Sequence, residues 1–147
     1  MPNQATSSFE PAARRRDAEL KSLYLIAQAI TFTMPLDDVL ELIYTQLGRV
    51  ISAPNFYVAL VNHEDQTFGF NFYVEAGERR YLEARWDVDA GLTSLIFRSG
   101  MTVRTDDYRA ECAARGVEAS GPPANAWLGV PLLARDQTIG VMVVSDD

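Results

Sequence analysis

Two apolar runs near the end of the chain, joined by a short polar turn, constrain its fold more than any other stretch. Residues 126–134 and 138–144 flank Arg135-Asp136-Gln137, which is the pattern of a β-hairpin. Neither run has a polar face, so both strands are expected to be covered on both sides, in the middle of a sheet. Pro131 has no amide hydrogen to donate, so a bulge or an unpaired side is expected there.

Length and composition favour one globular domain. The chain has 147 residues, enough to bury roughly two thirds of its unfolded surface. No apolar run approaches the ~20 residues that a helix needs to span a bilayer, and the polar start of the chain does not resemble a signal peptide. The net charge of −7 disfavours a nucleic-acid-binding surface. Cys112 is the only cysteine and can form no internal disulfide, which fits a cytoplasmic location.

Apolar residues at helical spacing predict two helices after a flexible segment, residues 1–11. In residues 12–31 the stripe consists of Leu20, Leu23, Ala27 and Ile30. The first half of this helix has few large apolar residues, so it either pairs with another helix, as coiled linkers do, or frays. The second helix begins near Pro35 and has the most regular stripe in the chain: Leu36, Val39, Leu40, Ile43, Leu47 and Val50.

Short strands and one short helix are predicted next. The strands are residues 56–61, 68–75, 80–88 and 101–105, and the helix is residues 91–100, ended by Gly100. In the second strand, Phe68, Phe70, Phe72 and Val74 alternate with more polar residues, which predicts one apolar face. His63, the only histidine, falls in a turn and is expected to be solvated rather than a catalytic base or a metal ligand.

The connection before the hairpin has a different character. Residues 107–115 are compatible with two helical turns stopped by Gly116, and residues 117–125 are expected to be irregular. A long connection of this kind between core strands is usually a lid, a binding loop or a mobile segment.

The order and spacing of these elements resemble a GAF domain over about residues 21–145. The matching motifs are Gly91-Leu92, Ser99-Gly100-Met101-Thr102-Val103 followed by Asp106, Trp127-Leu128-Gly129-Val130-Pro131-Leu132, and Ile139-Gly140-Val141. The resemblance implies an α+β, PAS-related fold with a six-stranded antiparallel sheet. The N-terminal helices would cover one face, and a short helix plus a lid would cover the other and close a small-molecule pocket. Residues 12–147 would then be a single domain without the C-terminal helix that usually ends a GAF domain.

The chemistries known in GAF domains can be compared with particular residues. The Asn-Lys-x-x-x-Phe-x-x-x-Asp-Glu pattern of phosphodiesterase GAF domains is absent, which disfavours cyclic GMP. Bilin-binding relatives attach their chromophore to a lid cysteine that is typically followed by His, whereas Ala113 follows Cys112 here. Free methionine sulfoxide reductases need more than one thiol, and non-haem iron needs clustered His, Asp or Glu ligands. The sequence therefore predicts no enzyme and no metal, and it specifies no cofactor.

What the resemblance does imply is a ligand pocket between strands and lid. The candidate ligand-binding residues are Tyr57, Phe70, Arg104, Asp106, Tyr108, Cys112 and Trp127. A guanidinium and a carboxylate beside aromatic rings could hold a small polar molecule with a flat or apolar part. The alternatives are ordinary, because Arg104 and Asp106 could form a weak surface ion pair, Phe70 and Trp127 could be core, and Cys112 could be a small buried thiol.

Two functional hypotheses follow. In the first, the chain is a non-catalytic sensory module of a signalling protein, such as a histidine kinase in a two-component system, and its bound small molecule shifts the helices and the output domain. In the second, it is a dimerisation or signal-relay module without a ligand, and its pocket is plugged by its own side chains, namely Phe70, Phe72, Trp86 or Trp127. Both expect a homodimer through the N-terminal helices, and neither involves nucleic acid or membrane insertion.

Overall fold

The computed structural model describes residues 10–31, 34–120 and 124–147, except for the side chains of residues 10–11 and 27–31. The predicted flexible segment therefore lies largely outside the described residues, as do the side chains of Ala27 and Ile30. The elements are α1 (Glu10–Thr31), α2 (Leu36–Leu47), β1 (Asn55–Asn62), β2 (Thr67–Glu75), β3 (Glu78–Arg80), β4 (Arg85–Asp87), α3 (Gly91–Ser99), β5 (Val103–Thr105), α4 (Tyr108–Arg115), β6 (Ala126–Ala134) and β7 (Gln137–Asp146). The predicted α+β class is confirmed. The chain forms two compact units, residues 1–52 and residues 53–147.

The first unit contains α1 and α2. Ser22 and Gln46 are both buried, and the Ser22 hydroxyl donates to the side-chain oxygen of Gln46 at 3.1 Å, which joins the two helices. The helix predicted through Val50 ends at Leu47, because the chain turns there and the Val50 N–H donates to the Leu47 carbonyl. Within the described residues, no helix combines the length and the hydropathy that a membrane span requires.

The second unit is built on an antiparallel sheet in the order β3-β2-β1-β7-β6-β5, with β4 also paired to β2. The predicted hairpin is β6 and β7, and its two turn residues Arg135 and Asp136 both have positive φ, as a tight two-residue hairpin turn requires. Pro131 lies opposite Val141 of β7, whereas β5 pairs only as far as Gly129. One side of Pro131 is thus without a strand partner among the described residues. This is the unpaired side that was expected there as the alternative to a bulge.

The sheet has seven strands, although six were predicted. The predicted strand 80–88 is two short strands, β3 and β4, which pair with opposite ends of the same edge of β2. Residues 81–84 between them are exposed and unpaired in the described structure. The sheet therefore still has six rows, and its outermost row is interrupted.

A β-bulge between β1 and β2 corrects the prediction that the apolar residues of β2 share one face. Ala59 pairs with Phe70 but Val58 pairs with Phe72, so Asn71 is the extra residue. Because each pleat reverses the face, Phe68 and Phe70 lie on one side of the sheet, and Phe72 and Val74 lie on the other. Tyr73 is thereby brought to the same face as Phe70, and the two rings are 5.0 Å apart.

Helix α3 packs on the face that carries Phe68 and Phe70. Ile96 is fully buried, and it fits against Gly129 of β6 so closely that a Cβ at Gly129 would overlap the Ile96 side chain. Gly100 ends α3 in the left-handed conformation with φ of 67°, as predicted. The core on this face consists of Leu92, Ile96, Val103, Tyr108, Cys112, Ala124, Trp127, Val141 and Val143.

Candidate functional site

A cleft of about 690 Å³ lies on the α3 side of the sheet. It is lined by residues of β1, β2, β4, β6 and β7, the beginning of α3, the beginning of α4, the segment 118–120, Ala124 and Asp147. A volume of this size falls within the range of pockets that hold small organic molecules, roughly 300–1,000 Å³.

One wall of the cleft is a cluster of aromatic rings on the strands. Tyr57 of β1 packs edge-to-face against Phe70 of β2 at 5.4 Å, and Phe70 contacts Trp86 of β4 at 4.5 Å. Tyr73 joins them because the bulge at Asn71 turns it to this face. All four side chains are partly exposed and line the cleft, so their rings can contact a ligand.

The facing wall comes from α4 and β6, where the rings of Tyr108 and Trp127 lie 5.4 Å apart. Asp107 caps α4 by accepting a hydrogen bond from the Ala110 N–H at 3.0 Å, and Gly116 ends the helix with φ of 69°. The Tyr108 N–H also donates to the Ala124 carbonyl. These contacts fix the position of Tyr108 over the sheet.

Hydroxyl groups supply polarity within the cleft. The hydroxyl oxygens of Tyr57 and Thr93 are 3.0 Å apart, which joins β1 to the beginning of α3. Burial raises the pKa of Tyr57, although its bond to Thr93 opposes that shift. Burial also raises the pKa of Tyr108, and the neighbouring Cys112 adds to the effect. Both phenols are therefore protonated at neutral pH and can each donate one hydrogen bond.

The charged groups of the cleft are all acidic among the described residues. Glu75, Glu118 and Asp147 line it, and no lysine, arginine or histidine does. Arg80 lies just outside and forms an ion pair with Glu75 at 3.2 Å, so the charge of Glu75 is partly compensated. Glu118 is exposed at the cleft margin, and no ion pair involves it within the described part of the chain.

The structure places four of the seven predicted site residues in the cleft lining. Tyr57, Phe70, Tyr108 and Trp127 line the cleft, and Cys112 is buried in the core beside Tyr108. That these residues bind a ligand stays a prediction.

Arg104 and Asp106 are not among the residues that line the cleft. Arg104 pairs with Leu128, which pairs with Val144, and Val144 pairs with Phe56. Directly paired residues share a face, so Arg104 lies on the face opposite Tyr57. Asp106 is exposed beyond the end of β5, and within the described structure no ion pair joins it to Arg104.

Three lining residues that matter for the chemistry were not among the candidate ligand-binding residues: Tyr73, Trp86 and Thr93. Tyr73 was assigned to the polar face because the bulge was not foreseen. Trp86 lies in a strand of only three residues, in a stretch with weak alternation. Thr93 lies within α3, where no sequence signal marks it as a lining residue.

Metal binding finds no support in the described residues. No group of three or more His, Cys, Asp or Glu side chains is close enough to hold an ion there. His63 is exposed in the turn between β1 and β2, as predicted.

Comparison with known proteins identifies relatives of this fold. A family profile described as GAF domain matches residues 33–147. A comparison with curated proteins gives no significant match. Among solved structures, the chain is similar to the GAF domain of an Acinetobacter phosphoenolpyruvate-protein phosphotransferase, with 20% identity and a TM-score of 0.69 over 87% of this chain and 76% of that one.

Two further solved structures show how widely the fold is used. The free methionine-R-sulfoxide reductase from Neisseria meningitidis, in complex with its substrate, is 16% identical with a TM-score of 0.70, over 92% of this chain and 75% of that chain. A methyl-accepting chemotaxis protein fragment is 18% identical with a TM-score of 0.62, over 86% of this chain and 85% of that chain. At these identities the similarity establishes the fold.

Proposed function

The chain belongs to the GAF domain family, whose members are generally sensory or regulatory modules, and on that premise we propose that it binds a small molecule in the cleft between β1, β2, α3 and α4. The bound molecule would alter the helices and so regulate an output domain of a signalling protein, such as a histidine kinase in the cytoplasm. Solved relatives of this fold include a chemotaxis protein, which is consistent with a role in signal transduction.

The observation that carries this proposal is the cleft itself. A ligand-free relay module would fill the space with its own aromatic side chains, whereas Phe70, Trp86 and Trp127 form walls around a cavity of about 690 Å³. Phe72, the fourth side chain that could have filled it, lies on the opposite face of the sheet. The hydroxyls of Tyr57 and Thr93 add hydrogen-bonding groups beside the aromatic rings, and ligand pockets combine such groups.

We propose a non-catalytic role because the one thiol near the cleft is badly placed for chemistry. Cys112 is buried with 1% of its surface exposed. Burial raises the pKa of its thiol, so little of the reactive thiolate is present at neutral pH. The phenol of the neighbouring Tyr108 also has a raised pKa, so it is protonated at neutral pH and cannot act as a base there.

The proposal predicts that a small molecule copurifies with the protein. In native mass spectrometry of freshly purified protein, we expect an added mass at fixed stoichiometry that disappears on denaturation, because a cleft of aromatic and hydroxyl groups retains its ligand. The Ala124→Leu variant, which adds volume at the cleft, is expected to lose most of this mass. The mass measurement on both proteins checks the prediction.

Ala113→Leu is the matched control, because Ala113 is exposed on α4 and does not line the cleft. It should retain the added mass. A clean mass for the wild-type protein, or equal retention by Ala124→Leu, would contradict the proposal and favour the relay module.

We also propose that the protein forms a homodimer through α1. Leu20, Leu23 and Tyr24 lie within about one turn of this helix and are exposed to 63–65% of their surface, which is unusual for neighbouring large apolar residues. Leu20→Glu combined with Leu23→Glu should convert the dimer to a monomer in sedimentation velocity, since two charges would enter the contact. A wild-type protein that sediments as a monomer at all concentrations would refute this arrangement.

A further inference from the structure

We propose that the cleft selects a ligand that carries an ammonium group, and this inference rests on the proposed function. Besides the buried Phe56, six aromatic residues line the cleft: Tyr57, Phe70, Tyr73, Trp86, Tyr108 and Trp127. The face of an aromatic ring is electronegative and attracts a cation within about 6 Å of its centre, most strongly when the ring is that of tryptophan. The four partly exposed rings of the strand wall are therefore the ones that a small cation can reach most readily.

The charge of the surrounding residues acts in the same direction. The three ionisable carboxyl side chains of the lining, Glu75, Glu118 and Asp147, favour a cation. Glu75 contributes less than the others because Arg80 is 3.2 Å away. An anionic ligand such as a phosphate would meet no lysine, arginine or histidine in the described lining and would remain uncompensated.

The N-terminus of α3 is the one part of the described cleft lining that favours negative charge, so a ligand with both an ammonium group and a carboxylate must also be tested. Ala90–Thr93 at the N-terminus of α3 also line the cleft, no side chain caps this helix, and its N–H groups carry partial positive charge. An ammonium compound with a carboxylate could place its two ends at the aromatic rings and at α3. Choline and glycine betaine share the trimethylammonium group, but choline ends in a hydroxyl and glycine betaine in a carboxylate. Comparing their affinities shows whether the N-terminus of α3 binds a carboxylate.

The test is a titration of the full chain, stripped of copurified material, with choline, glycine betaine, 3,3-dimethylbutan-1-ol and inorganic phosphate. The alcohol has the shape of choline without its charge. Since both tryptophans of the chain, Trp86 and Trp127, line the cleft, their fluorescence reports binding directly. We expect choline or glycine betaine to bind roughly tenfold or more tightly than the alcohol, and phosphate not to bind.

Two variants make the assignment specific. Trp86→Leu should weaken the ammonium compounds by about tenfold while changing the affinity for the alcohol much less, and Trp127 remains as the fluorescent probe. Glu118→Gln should weaken the ammonium compounds at low salt only, because an exposed carboxylate is screened. Glu64→Gln is the matched control, since Glu64 is exposed in the turn between β1 and β2, away from the cleft.

The possible failures are distinct from each other. If the alcohol or phosphate binds as well as choline, or if the copurified molecule is an anion, the cleft is a ligand site but the ammonium proposal is wrong. If no probe changes the fluorescence and the native protein has a clean mass, both the ammonium proposal and the proposed function are refuted.

Discussion

Gly140→Ala is expected to lower the free energy of unfolding by about 3 kcal/mol or more. Gly140 lies in β7 at the centre of the sheet, opposite Leu60 of β1 and Leu132 of β6. A Cβ at this position would overlap the carbonyl oxygen of Ala59, which is main chain and cannot rotate away. The two central strands must therefore separate, and their ladder hydrogen bonds are weakened. Urea unfolding followed by circular dichroism measures the change.

Gly69→Ala is the matched control in the same sheet. Its Cβ would lie 3.5 Å from the nearest atom, the Arg85 guanidinium, which is an ordinary contact with a flexible side chain. We expect the free energy of unfolding to change by no more than about 1 kcal/mol, because the new methyl group makes no clash. Both substitutions reduce the entropy of the unfolded chain equally, so the difference between them reports the clash at Gly140. Equal destabilisation by the two variants would show that a Cβ at Gly140 does not overlap the Ala59 carbonyl oxygen and that β1 and β7 are farther apart there.

Phe68→Ala is expected to cost about 3–5 kcal/mol of stability. Phe68 is fully buried beneath the cleft, and its ring contacts those of Trp86 at 5.3 Å and Phe97 at 5.4 Å. Removing the ring leaves a cavity between β2, β4 and α3 that these neighbours can fill only in part. Chemical denaturation gives the loss, and a red shift of the tryptophan emission is expected as Trp86 gains exposure.

Phe70→Ala provides the comparison, because it has the same side chain on the same strand and face. Phe70 is only partly buried and lines the cleft, so its removal is expected to cost less than about 2 kcal/mol. Its larger effect should be on ligand retention. Equal losses of stability at the two positions would indicate that Phe70 is core and that the cleft is smaller than it appears in the structure.

Local sequence signals predicted well those elements whose ends are set by neighbouring residues in the sequence. The hairpin of β6 and β7 follows from two apolar runs around a polar turn, and α4 follows from Asp107 and Gly116 at its two ends. The order of these elements, which resembled a GAF domain, was enough to predict the α+β class that the family match confirms.

The candidate site was harder to predict because it depends on the register between strands. The uninterrupted alternation in β2 conceals the bulge at Asn71, which is visible only in the pairing with β1 and which turns Tyr73 towards the cleft. Arg104 looked suitable by residue type, yet the alternation in β5 places it on the opposite face from buried Val103. Residue types thus indicated an aromatic pocket, and only the register showed that Arg104 is not part of its lining.

The central claim, that the cleft is a ligand site, is tested most directly by tryptophan fluorescence. Trp86 and Trp127 are the only tryptophans and both line the cleft. The protein is unfolded in denaturant, freed of small molecules, refolded, and then given back the released material. We predict that refolding without this material shifts the emission and that adding it back restores the original spectrum in the wild type but not in Ala124→Leu. Identical emission before stripping, after stripping and after addition would contradict the account.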